Sequence, residues 1–150
     1  MDYARRAEEL FREGYNCAQS VFLAFAEEKM DRDEAARLAS AMGGGLAGLR
    51  HVCGAVSGMA MAYGMLRGYS DPKDKNAKKA EYAAVAQMAE EFEKVNGSII
   101  CRKLLGLGSE EKFVPPTDRN ADYYTHRPCP KICACAAEIL ARRLEAEKAE

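Results

Sequence analysis

The chain has 150 residues, a length that fits one domain and can bury roughly two-thirds of its unfolded surface without disulfide staples. Apolar residues make up 48%, too many for a disordered chain. Twenty-two Lys+Arg stand against 23 Asp+Glu, so there is no basic footprint for nucleic acid.

No apolar run reaches the ~20 residues that cross a bilayer. The opening Met1–Glu9 stretch is polar and lacks the apolar core of a secretion signal. The expectation is therefore a single cytoplasmic domain over residues 1–150, with no membrane span.

Read in chain order, nearly every segment is helical. Residues 2–13 carry Tyr3, Leu10 and Phe11 among charges, an amphipathic helix that Gly14 stops. Asn16 is placed as an N-cap for a helix over 17–29, apolar on most faces and so expected at the centre. Asp31 or Asp33 opens the next helix, which runs to Ala41 and ends at Gly43-Gly44-Gly45. That glycine run lacks the Gly-Lys-Ser/Thr of a phosphate loop and reads as a turn, flexible enough to let Cys53 move.

Residues 53–67 form a helix with Gly54 and Gly58 on a small-residue stripe beside Met59, Met61 and Met65. Close approach of another backbone is expected there. Asp71-Pro72 reads as a cap and first helical position for a long polar helix over about 72–95. Ser98 is the expected cap of a short helix over 99–105. Residues 106–128 read as one irregular stretch containing Pro115-Pro116, long enough to suggest function. The last helix spans 130–148 and is expected to fray from Glu145. The sum is an all-α compact bundle of about six or seven helices.

Six cysteines stand out: Cys17, Cys53, Cys101, Cys129, Cys133 and Cys135. In a reducing compartment such usage points to metal binding or thiol chemistry. Cys17, Cys53, Cys101 and Cys129 each fall near an expected helix N-terminus. The macrodipole and free N–H groups there favour thiolate and lower the thiol pKa. Cys133, four residues beyond Cys129, could share its face, whereas Cys135 projects elsewhere and reads as core.

Both histidines adjoin cysteines, His51 near Cys53 and His126 near Cys129, and either could serve as base or ligand. Arg50 and Arg127 flank the same places. Tyr123-Tyr124 could cover the cysteines or anchor a loop. No Cys-x-x-Cys pair is present, yet zinc or an iron–sulfur cluster held by Cys17, Cys53, Cys101 and Cys129 stays open.

Four pieces resemble a known family: Gly14-Tyr15-Asn16-Cys17-Ala18-Gln19-Ser20-Val21, Cys53-Gly54-Ala55-Val56-Ser57-Gly58, Cys101-Arg102-Lys103-Leu104-Leu105-Gly106 and His126-Arg127-Pro128-Cys129-Pro130. The family is named for the pattern C-GCAxxG-C-C, has about this length, and carries four characteristic cysteines. Its name writes Gly ahead of Cys, whereas this chain reads Cys-Gly-Ala-x-x-Gly. The last family cysteine maps to Cys129, with Cys133 as the alternative.

The resemblance implies redox activity and names no substrate. The leading reading is thiol-based redox chemistry, with Cys53 and Cys129 as the reactive pair. Its partner would be a redox protein or a small-molecule oxidant. The alternatives are a zinc or iron–sulfur protein using the same cysteines, and a helical adaptor with structural cysteines.

Overall fold

The computed structural model describes residues 1–107, 119–120 and 128–149. Among these residues there are seven α-helices: α1 (Tyr3–Arg12), α2 (Cys17–Ala26), α3 (Arg32–Ala39), α4 (Gly54–Arg67), α5 (Lys75–Asn96), α6 (Cys101–Leu104) and α7 (Cys129–Ala149). A 3-10 turn, Ser40–Met42, extends α3. The all-α bundle expected from periodicity is the fold observed.

α2 is the central helix, with eight of its ten residues buried. α1 lays Ala7, Leu10 and Phe11 onto the core, and Tyr3 stacks on Phe25 of α2 with ring centroids 4.2 Å apart. Arg6 of α1 grips Glu27, just past α2, through two bonds of 2.7 and 2.9 Å. α7 packs against α1 and α2 and contributes Ile132, Ala136, Ile139 and Leu140 to the core. α5 buries only Ala84, Met88 and Phe92, so most of this long helix faces water.

Several boundaries differ from the sequence reading, each for a local reason. α5 starts at Lys75 because Asp74 accepts the Ala77 N–H, while Asp71 folds back onto the Lys73 N–H as a turn around Pro72. α6 begins at Cys101; Ser98 accepts the Ile100 N–H one step too early to cap it. α7 does not fray at Glu145. Glu147 accepts from Tyr63 at 2.9 Å and pairs with Arg143 at 2.9 Å, which ties the last turns to α4. The expected irregular stretch, with Pro115-Pro116, lies mostly outside the described residues.

Candidate functional site

α2 and α4 pack closely because glycine leaves room. A Cβ on Gly58 would lie 2.5 Å from the Ala18 carbonyl oxygen, and one on Gly54 would lie 3.0 Å from the Ala18 nitrogen and 3.2 Å from Cys17 Cβ. The expected close approach is therefore present, and it brings the start of α4 against the start of α2. Asn16 holds the start of α2 by a reciprocal capping box with Gln19. The same two side chains also donate to Ser40 O and Ala36 O, which anchors this end to α3.

Four cysteines occupy helix starts. Cys17 is the first residue of α2, Cys53 the N-cap of α4, Cys101 the first residue of α6 and Cys129 the first of α7. Three of these ends converge with Cys133. The Cys17 side chain lies within interaction range of both the Cys129 and Cys133 thiols, and Cys133 Sγ donates to Cys17 O at 3.9 Å. Cys53 lies within electrostatic reach of Cys17, Cys129 and Cys133. All six cysteines are free thiols.

Cys133 was ranked below Cys129 from sequence because it sits inside a helix. The structure places it fully buried in the cluster, one turn below Cys129. The i,i+4 spacing was the signal that marks it. Cys135 points away and accepts from Asn96 Nδ2 at 3.5 Å, half-buried at the margin of the core.

Cys101 is held beside Cys53 by backbone pairing. Cys53 N donates to Ile99 O, Cys101 N to His51 O and Arg102 N to Arg50 O, at 2.7, 2.6 and 3.2 Å, around an isolated antiparallel bridge between Val52 and Ile100. Arg50 is buried and donates from Nη1 to Cys101 Sγ at 3.7 Å. The loop before it is tightly fixed. Gly44, Gly45, Leu46, Ala47 and Gly48 all have positive φ, a left-handed turn that costs about 1–2 kcal/mol at each non-glycine residue. Every N–H from Leu46 to His51 is bonded to a carbonyl within 41–46. The expectation that the glycines loosen Cys53 is corrected accordingly.

At Cys17 and Cys53 the electrostatics reverse the expected lowering of the thiol pKa at a helix start. Burial pushes Cys53 up to about 12, against bonds from the Ala55 and Val56 N–H groups that favour its thiolate. Cys17 is pulled down by its interaction with the Cys129 thiol, but the interaction with Cys133 and burial outweigh this and hold it well above the usual range. Burial also raises Cys133, although Cys17 and the Arg119 guanidinium act the other way. The magnitudes explain the outcome. A helix terminus contributes about 0.3–1 kcal/mol, less than one pKa unit, whereas full burial shifts a pKa by up to about 3–5 units.

Arg119 is a site residue that sequence reading missed. It donates to Phe11 O at 2.6 Å and Tyr15 O at 2.9 Å, with its guanidinium 4.1 Å from the Phe11 ring centre. No periodicity marks a residue in that stretch. His51 is exposed, and among the described residues its imidazole has no hydrogen-bond partner; its carbonyl serves the site instead. His126, Arg127, Tyr123 and Tyr124 lie outside the described residues.

Among the described residues, no group of three or more His, Cys, Asp or Glu side chains is placed to hold a metal ion. No described helix is long and apolar enough to cross a membrane. No curated protein and no solved structure matches the chain at a significant level. A family model does: one described as "Putative redox-active protein (C_GCAxxG_C_C)" matches residues 15–143. That span opens two residues before Cys17 and takes in every cysteine of the cluster, so the chain belongs to the C_GCAxxG_C_C family.

Proposed function

We propose that the chain carries a reversible dithiol–disulfide centre at the joined starts of α2, α4 and α7, with Cys17 as the shared sulfur. The observation that supports it is the gathering of the Cys129 and Cys133 thiols around Cys17, with Cys133 Sγ donating to Cys17 O at 3.9 Å. Of the clustered cysteines only the Cys17 residue keeps partial exposure, although its thiol itself lies within the buried cluster. The reaction class is exchange with an external disulfide. The Cys17 thiolate attacks one sulfur of that disulfide and expels the first thiolate, which takes up a proton. Cys129 or Cys133, losing its own proton, then attacks Cys17 Sγ and expels the second. The external disulfide gains two electrons and two protons; the protein loses the same and forms one S–S bond.

Cys53 and Cys101 play a supporting part in this reading, with His51 serving through its backbone. The sequence-based pair of Cys53 and Cys129 rested on neighbouring His and Arg residues. The interaction of the Cys17 and Cys129 thiols favours Cys17 as the partner of Cys129. Raised thiol pKa values mean that ionisation does not stabilise the reduced form. The couple should therefore be reducing, nearer the ~−270 mV of thioredoxin than the ~−120 mV of a strong oxidant such as DsbA.

The test is equilibration of the reduced protein with glutathione buffers of graded potential, followed by peptide mapping of the disulfides. Cys17 joined to Cys129 or Cys133 is the expected product, and Cys17→Ser should leave both partners reduced. Six free thiols under oxidising buffer, or a disulfide that omits Cys17, would overturn the proposal.

A further inference from the structure

α5 carries charges in an order its own helix does not favour. Lys75, Lys78 and Lys79 crowd the N-terminal turns, where the macrodipole is positive; Glu90 and Glu93 stand near the C-terminus, where it is negative. Like charges at i,i+3 and i,i+4 add repulsion within each group. Among the described residues none of these five takes part in an ion pair. The charged residues of α1 and α7, by contrast, are laced together, as in Arg5–Glu9, Arg12–Glu8 and Arg143–Glu147.

The geometry of the exposed face suggests what relieves this. Lys75, Lys79, Tyr82, Ala86, Glu90 and Glu93 repeat every three or four residues along the side opposite buried Ala84, and all six are exposed. Tyr82 is 62% exposed, a large apolar ring at mid-helix with Lys78 Nζ 5.6 Å from its centre. Small Ala83 and Ala86 lie beside it.

We infer that this face binds a second copy of the chain, with the two α5 helices antiparallel about a two-fold axis that crosses the exposed face at the height of residue 84. In that register Lys75 of one copy meets Glu93 of the other, Tyr82 covers Ala86, and Lys78 and Glu90 flank opposite edges of the contact. Each pairing occurs twice by symmetry. The opposed dipoles also place each lysine-rich end beside a glutamate-rich one. A parallel pairing sets lysine on lysine and glutamate on glutamate, so charge alone selects the antiparallel arrangement. The helix is about 33 Å long at 1.5 Å per residue, enough for all these pairs in one contact.

Sedimentation equilibrium of the full chain tests this. Wild type should reach twice the chain mass of 16.5 kDa, with a dissociation constant that rises with salt. The double variant K75E/K78E should weaken the dimer at least about tenfold, as should E90K/E93K. Mixing the two variants in equal amounts should restore a dimer, because every pair is then opposite in sign. The quadruple swap K75E/K78E/E90K/E93K should also dimerise on its own. All these sites are exposed, and unchanged helical circular dichroism checks the fold. A wild type that stays monomeric to millimolar concentration, charge-reversed variants that dimerise as wild type does, or a mixture that stays monomeric would each overturn the inference.

Discussion

Cys53 shows how two features of one residue oppose each other. Its position at the N-cap of α4 offers backbone N–H groups to a thiolate, while its burial withdraws the water a charge needs. Burial wins, and the prediction reverses the one that helix position alone gives. In native, metal-free protein, iodoacetamide labelling followed by mass spectrometry should find half-buried Cys135 ahead of Cys17, Cys53 and Cys133, whose thiols are raised. Cys53 should titrate far above the ~8.5 of a free thiol. Rapid labelling of Cys53 at neutral pH would show that its sulfur is solvated after all. Arg119 gives a second residue-level test. Arg119→Met removes a positive charge near Cys133 and two bonds to the α1–α2 junction, so the Cys133 thiol should rise further and the melting temperature should fall.

At the scale of elements, the α2–α4 contact sets a contrast between glycines. Gly58 faces the Ala18 backbone, which cannot swing aside as a flexible side chain can. Gly58→Leu should therefore destabilise by about 1–3 kcal/mol or more. Gly64 lies on the same helix with only Glu81 Oε1 nearby, at 3.6 Å. Gly64→Ala should stabilise by about 0.5–1 kcal/mol, since helical glycine carries an entropy cost that alanine lacks. Urea unfolding of the two variants checks both signs. The helices themselves were legible in the sequence, because apolar spacing and caps such as Asn16 and Asp31 act locally. Four cysteines at helix starts were legible for the same reason. The pairing of residues 50–53 with 99–102 was not, because two short backbone stretches far apart in sequence carry no period. The left-handed turn over 44–48 escaped too: Leu46 and Ala47 adopt a conformation their side chains disfavour, and only the surrounding carbonyls hold them there.

For the whole molecule, the raised thiols make stability depend on pH. Cys17, Cys53 and Cys133 keep their protons in the folded state at pH values where the unfolded chain has released them. Between about pH 8.5 and the folded values the native state binds more protons, so stability falls as pH rises, by about 1.4 kcal/mol per pH unit for each such thiol. Below that window the contribution is complete. Thermal melts should show a plateau to about pH 8 and a decline above it, and Cys53→Ser should make the decline shallower. The contact between Cys17 and Cys133 has a topological consequence as well. These residues are 116 positions apart, and the chain between them holds α2 through α6. A bond between those two sulfurs turns most of the protein into a covalent ring with two short tails. A single protease cut within that ring opens it without releasing a fragment. The nicked, oxidised protein would migrate as one band without reductant and as two with it.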